Sequence, residues 1–310
     1  MGKNILIIKH GSLGDLILAT GAIKTINSHF KGYNIYFLTT SKYKKIIKQI
    51  PYIKNILIDD RKSIFNIYLN FFLFKKIDSF KFKYIFDLQN SKRTSLYNLI
   101  FRITSKSIIS SSRPFSQYRY IIPKQGTEHA TTGLQKQLNM LGIKKFYKPN
   151  VDWLKKEKLK FKLKKPYVIL IPGTSINGRY KRWQPSKYAQ IAKFLDQKKI
   201  KIYVVGTKYD KESAKEIFNN CSNVINLLGK SSPNVLYYLA KKSKFIISND
   251  TGPAQLVSLA NKPLIWIVNN NDISRSNKPI GKKIIKISAN NVDNISVKTV
   301  KNIIIKRKLL

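Results

Sequence analysis

Short apolar runs rich in β-branched residues alternate along this chain with longer segments of helical periodicity, and the alternation runs twice. In the first half, 4–9, 34–39, 55–59 and 84–89 read as strands, with helices at 15–28, 41–49, 64–77 and 91–104. Parallel strands need long crossovers, which helices supply, so this order predicts a doubly wound α/β sheet. The segment SIISSSRP, 107–114, leads into a less regular stretch, and 129–143 is helical again and stops at Gly142. KKEKLKFKLKK, 155–165, has almost no core potential and reads as a linker before Pro166. Beyond it the pattern restarts, with strands at 167–173, 201–206, 224–229, 244–250 and 263–268 and helices at 185–198, 210–219, 233–242 and 253–261. A last basic helix is expected at 297–308. The expectation is two Rossmann-like domains, 1–155 and 156–310, each long enough to bury a core.

Charge and cysteine content narrow the function. A formal net charge of +44 suggests nucleic acid or an anionic membrane. Yet 50 of the 59 basic residues are lysine, spread along the whole chain with no nucleic-acid module around them. Specific nucleic-acid binding is therefore not expected, whereas attraction to phosphate-bearing partners or lipid headgroups is. One cysteine, Cys221, and three scattered histidines argue against a disulfide and against a metal site. No leader with a cleavage site precedes the first strand, so the chain is expected to stay in the cytoplasm. No run reaches the roughly 20 apolar residues of a membrane span. The aromatics of 64–77 (Phe65, Tyr68, Phe71, Phe72, Phe74) cover a wide arc, fitting either core packing or an interfacial membrane patch.

Ligands of doubly wound sheets sit beyond the carboxyl ends of the strands, which directs attention to 10–15, 172–175, 206–210, 229–231 and 250–255. In KHGSLGDLILAT, 9–20, Gly11 and Gly14 permit a tight turn around Ser12 before a helix. This is not the dinucleotide fingerprint, and the negative charge of Asp15 at the helix start disfavours a diphosphate there. A carboxylate at that end is favoured by the helix dipole and suits a hydroxyl ligand; a simple first-turn cap is the plainer alternative. In SNDTGPAQ, 248–255, Asp250, Thr251 and Gly252 precede Pro253, leaving amides of 251–255 directed outward as an anion cradle. PGTSINGRYKRW, 172–183, adds a glycine turn, the hydroxyls of Thr174 and Ser175, and the cations Lys181 and Arg182, which together suit a diphosphate.

These stretches, with YIFDLQNSKRT and NLLGKSSPNVLYYLAKKSKFIISNDTGPAQLVSLANKPLIWI, occur in an order and spacing that resemble the heptosyltransferase family, family nine of the glycosyltransferases. The resemblance covers nearly the whole chain. It implies a GT-B architecture, two Rossmann-like domains facing across a cleft, with the C-terminal helix crossing back to the first domain. It also implies inverting, metal-independent transfer of a heptose from an ADP-activated donor to a lipopolysaccharide core, at the cytoplasmic face of the inner membrane. No cofactor is implied beyond the nucleotide-sugar substrate.

By that resemblance Asp15 matches the catalytic base and Lys181 the lysine that stabilises the leaving diphosphate. Thr174 and Ser175 fall in the phosphate loop, and Asp210 matches the acidic position on the nucleotide ribose. Asp250, Thr251 and Gly252 match the donor-binding turn, and Gly11, Ser12 and Gly14 the acceptor-side loop. The family commonly has histidine where this chain has Gln255, which leaves the identity of the sugar open. Two other readings stand beside the transferase: a nucleotide-sugar epimerase of the same architecture, and a non-catalytic member that binds glycans or membranes through its lysines.

Overall fold

The computed structural model describes residues 3–63, 66–159 and 161–310. The chain divides into two compact units, Met1–Leu154 and Lys155–Leu310. In the first, β1 (Asn4–Ile8), β2 (Asn34–Thr39), β3 (Ile53–Ile58), β4 (Tyr84–Asp87), β5 (Ile108–Ser111) and β6 (Tyr118–Arg119) form one sheet in the order β3-β2-β1-β4-β5-β6. All its pairings are parallel. The helices α1 (Leu13–His29), α2 (Ser41–Ile47), α3 (Ile67–Asp78), α4 (Lys92–Thr104) and α5 (Ala130–Asn139) supply the crossovers and the cover.

The pleat explains why the strands read as unbroken apolar runs. Ile5 and Ile7 point to one face, where they pack with Leu16, Ala19 and Ile23 of α1 and Leu138 of α5. Leu6 and Ile8 point to the other, against Ile77 of α3 and Tyr97 and Phe101 of α4. Because both faces are covered, alternation between apolar and polar residues disappears. Helix α3 divides its aromatic residues: Phe74 packs edge-on against Tyr97 and Phe101, while Tyr68, Phe71 and Phe72 are exposed. Residues 64 and 65, the start of the expected helix, lie outside the described residues.

The second unit repeats the plan. Its strands are β7 (Tyr167–Ile171), β8 (Lys201–Gly206), β9 (Val224–Leu228), β10 (Ile246–Asn249), β11 (Leu264–Asn269) and β12 (Ile284–Ala289), in the order β12-β11-β10-β7-β8-β9. Between them lie α6 (Pro185–Gln197), α7 (Lys211–Asn220), α8 (Pro233–Lys242), α9 (Gly252–Ser258) and α10 (Asp272–Ser276). Renumbered from its own first strand, this is the strand order of the first sheet, and both match the doubly wound order 3-2-1-4-5-6. The C-terminal helix α11 (Val297–Lys306) packs on α6, and its Val300 and Ile304 are fully buried in the core of this second unit. Strands β5, β6 and β12 and helix α10 were not expected from the sequence. Gly14, expected in the turn, is instead the buried second residue of α1.

One close approach in the first unit depends on a missing side chain. The chain after α5 runs over α1, where Tyr147 N–H donates to Thr25 Oγ1 at 2.9 Å and Asn150 N–H to Thr20 Oγ1 at 3.1 Å. Between these two bonds lies Gly21, and a Cβ there would run into the Tyr147 carbonyl. Glycine inside an exposed helix costs about 1 kcal/mol relative to alanine. Here the sign reverses, and Gly21→Ala should lower stability by about 1 to 3 kcal/mol, as overpacking does. Denaturant midpoints check this, and a stabilised variant would show that the crossing segment moves away freely.

Candidate active site

In a sheet of this order the crevice opens where the connections from the two central strands diverge, between β1 and β4 in the first unit and between β7 and β10 in the second. The sequence stretches with chemical content lie at these ends. After β1 the chain turns through Lys9, His10, Gly11 and Ser12 into α1. Gly11 has a φ of 124° and the Tyr43 ring occupies the space of a would-be Cβ, so only glycine suits this point. The Ser12 N–H and Oγ–H both donate to Asp15 Oδ2, at 3.0 and 3.2 Å. Asp15 therefore does cap its helix, with one oxygen. Its side chain remains partly accessible, which leaves the second oxygen for another partner.

Beneath this turn lies a set of buried charges. Lys9 Nζ donates to the Leu88 carbonyl at 2.9 Å. Burial pushes its ammonium below the usual lysine range, against the attraction of Asp15 and Asp87. Asp87, the last residue of β4, is fully buried, and burial pushes its carboxyl up. Hydrogen bonds oppose that: the Gln89 and Asn90 amides donate to Oδ1, both at 2.9 Å, and Ser111 donates to Oδ2 at 3.2 Å. Beside them His10 Nε2 donates to Asp59 Oδ2 at 2.8 Å, an oxygen that also accepts from Tyr97 Oη at 2.5 Å. The other oxygen of Asp59 accepts from the Arg61 amide at 2.8 Å and from Arg93 Nη2 at 3.4 Å.

None of Lys9, His10, Asp59, Asp87 or Tyr97 stood out in the sequence as a site residue. The available signal was an aspartate closing an apolar run, in NILID and YIFD, as it does in IISND.

In the second unit the predicted residues come together, but they bond one another. Asn249, at the end of β10, joins the two central loops: its amide donates to the Pro172 carbonyl at 2.7 Å, and its oxygen accepts from Trp183 N–H at 3.2 Å and Tyr188 Oη at 3.1 Å. Lys181 forms an ion pair with Asp250 at 2.7 Å, with 19 % and 9 % of the two side chains exposed. The Thr174 hydroxyl donates to the Gly178 carbonyl at 2.8 Å and accepts from Arg182 Nε at 3.0 Å, so it holds the loop closed. Ser175 is exposed.

Asp210 accepts from the Thr207 amide and hydroxyl on Oδ2, at 2.7 and 2.8 Å, which makes it a cap. Its Oδ1 is buried without a hydrogen-bond partner, 3.6 Å from Arg182 Nη2. Gly173 lies where any side chain would strike this carboxylate. Thr251 precedes α9 in extended conformation, Gly252 opens that helix, and the Ala254 amide already bonds the Thr251 carbonyl at 3.0 Å. Gln255 Nε2 donates to the Asn277 carbonyl at 2.7 Å, and its buried Oε1 has no partner among the described residues. Among the described residues no group of three His, Cys, Asp or Glu side chains is placed to hold a metal ion.

The charge set around Asp59 has a consequence in acid. Burial works against its ionised form, but hydrogen bonds from His10 and Tyr97, the charge of His10 and the Arg61 amide outweigh it and bring its pKa down to about 2. A carboxyl held below its unfolded value adds stability that is complete above the ordinary carboxylate range and is lost as pH falls through the folded value. That contribution is about 2 kcal/mol, lost between about pH 4 and pH 2. Asp59→Asn should therefore lose less stability than the parent between pH 5 and pH 2 in urea titrations. Equal losses would show that Asp59 is not the group protonated.

Comparison with known proteins gives this arrangement a family. The glycosyltransferase family 9 (heptosyltransferase) pattern matches residues 73–303. Over 104 residues the chain is 31% identical to lipooligosaccharide heptosyltransferase 2 of Haemophilus ducreyi, a stretch covering 32% of this chain and 30% of that one. Over 260 residues it is 28% identical to lipooligosaccharide heptosyltransferase 2 of Campylobacter jejuni, covering 79% of this chain and 74% of that one. The structure of the ADP-heptose lipopolysaccharide heptosyltransferase II of E. coli superposes with a TM-score of 0.79 at 15% identity, covering 98% of this chain and 99% of the other. The chain, with its two doubly wound GT-B units, belongs to glycosyltransferase family 9, the heptosyltransferases.

Proposed function

We propose that this glycosyltransferase moves a heptose, with inversion and without a metal, from an ADP-linked donor to a hydroxyl of a lipid-linked lipooligosaccharide core. The observation that carries the reading is the placement of two unlike chemistries at equivalent points of two identical sheet orders. The first unit has a carboxylate with a free oxygen on a glycine turn, and the second has a lysine among hydroxyls and helix-start amides. The names of the relatives in Haemophilus, Campylobacter and E. coli supply the sugar, the acceptor class and ADP.

An inverting transfer needs a base for the incoming hydroxyl and a sink for the charge that departs with the nucleotide. Asp15 takes the acceptor proton on the oxygen that does not cap α1. Lys181, the amides of Thr251 and Gly252 and the exposed Ser175 hydroxyl take up charge on the leaving diphosphate. Asp250 then does more than pair with Lys181: it keeps the ammonium oriented before the donor arrives. The Oδ1 of Asp210, ion-paired with Arg182 but without a hydrogen bond, accepts from a ribose hydroxyl, and the Oε1 of Gln255, without a hydrogen-bond partner among the described residues, accepts from a hydroxyl of the sugar.

The test is release of ADP coupled to sugar transfer, with ADP-heptose and a truncated lipooligosaccharide core. Asp15→Asn keeps an oxygen for the cap, so thermal stability and ADP affinity stay near the parent while transfer falls about 100-fold or more. Lys181→Ala lowers turnover by about 10- to 1000-fold, the range for loss of one transition-state donor. Retained transfer in Asp15→Asn removes the base, and an epimeric nucleotide sugar formed without acceptor would replace the reaction.

The acceptor's lipid anchor places the work at the cytoplasmic face of the inner membrane, with peripheral contact. No described helix is long and apolar enough to cross a bilayer. The exposed Tyr68, Phe71 and Phe72 of α3, followed by Lys75 and Lys76, suit an anionic interface. Binding to vesicles containing anionic phospholipid should weaken with salt and on Phe71→Ser/Phe72→Ser substitution. Equal, salt-insensitive binding to neutral vesicles would refute the electrostatic part.

A further inference from the structure

We infer that His10, anchored by Asp59 and Tyr97, is a positioning residue that aims the Asp15 turn. The inference rests on the reading of Asp15 as the base. His10 is the last residue fixed before the chain bends at Gly11, and it is fixed at every polar group for which a bond is seen. Its N–H donates to Gln89 Oε1 at 3.0 Å, its carbonyl accepts from Thr40 Oγ1 at 3.3 Å, and its ring donates to Asp59. Only 1 % of the residue is exposed. The three partners come from the ends of three other strands, β4 on one side of β1 and β2 and β3 on the other, so the direction in which the chain leaves β1 is set from both sides.

The anchor is itself held. Asp59 keeps its orientation through Tyr97 and Arg93 on α4 and through the Arg61 amide. Arg93 also donates to the Lys62 carbonyl at 2.7 Å and to the Tyr97 hydroxyl, closing the set on itself. A buried polar pair is seldom the most stable filling for such a space, since apolar residues of like volume often do as well or better. A pair with directional bonds does what apolar contact does not: it fixes the rotation of a ring and hence the backbone beyond it. Between His10 and the Ser12 donors that hold Asp15 Oδ2 lies one residue, the glycine Gly11, with no side chain to fix its own path.

Five enzymes test this: the parent, His10→Leu, His10→Gln, Asp15→Asn and the His10→Leu/Asp15→Asn double variant, all assayed with ADP-heptose and the truncated core. His10→Leu keeps bulk but loses the donor, and should lower kcat about 10- to 100-fold with ADP affinity within about 2-fold of the parent. His10→Gln carries an amide donor and should recover most of that loss. In the Asp15→Asn background His10→Leu should cost less than about 2-fold, because a residue that acts by aiming a base has nothing left to aim. Hydrogen exchange at the Ser12 amide gives a readout apart from activity, and should quicken about 10-fold or more in His10→Leu while the middle of α1 stays protected. Equal losses in both backgrounds, or falling ADP affinity with unprotected α1, would show a purely structural role and overturn the inference. So would unchanged kcat and unchanged exchange. If Asp15→Asn alone transfers at the parent rate, the base reading fails, and the anchoring is decided by Ser12 exchange.

Discussion

A parallel strand covered on both faces offers chemistry only where it ends. That constraint governs both units. Ile5 to Ile8 of β1 and Val168 to Ile171 of β7 are buried throughout, those of β1 packed to both sides, and helices occupy the faces, so polar groups have little outlet along these strands. They collect at the carboxyl ends, and most usefully where the connections from the two middle strands part in opposite directions. The identical strand order of the two sheets makes the same position special twice. Asp15 and Asp87 flank it in one unit, Lys181 and Asp250 in the other.

Much of this was legible because the rules that shape the sheet act locally. Continuous β-branched runs gave the long central strands, and the restart after Pro166 gave the second unit. What escaped notice were strands whose pairing comes from neighbours: β5 carries IISS, β6 is two residues long, and β12 is interrupted by Lys286. Each joins an edge or near-edge position where a parent sheet supplies the ladder, so its own sequence need not announce it. The glycines divide in the same way. Gly11 was legible as a turn residue, whereas Gly21 and Gly173 are required by segments about 126 and 37 residues away, Tyr147 and Asp210, which no local pattern could show.

The candidate site was legible by position and less so by bonding. The stretches 10–15, 172–175 and 250–255 do lie at strand ends, but the sequence suggested side chains turned outward to a ligand. Thr174 instead ties its own loop, Asp210 caps Thr207, and Lys181 rests on Asp250. Polar groups drawn together in a partly buried place satisfy one another first, because an unpaired buried donor or acceptor is costly. The site oxygens left without a hydrogen bond among the described residues, Asp210 Oδ1 and Gln255 Oε1, are therefore more informative than those that are merely polar.

The acids carry a further argument. With 15 carboxylates against 59 basic side chains, an aspartate in this chain never lacks for cations, and surface ion pairing alone would scatter the acids anywhere. Asp59, Asp87 and Asp250 nonetheless stand at or one residue past the carboxyl ends of β3, β4 and β10, and Asp15 and Asp210 stand where the chain leaving β1 and β8 enters a helix. The central pair in each unit contributes one cation and one acid, yet the two differ in kind. Lys9 and Asp87 are shut away, so burial works against both charges and hydrogen bonds hold the loops they end in. Lys181 and Asp250 touch directly and the lysine remains partly exposed, so an anion from solution can compete for it. Strong overall basicity draws phosphate-bearing solutes from a distance, but it is the scarce acids that decide which cations are already engaged when those solutes arrive.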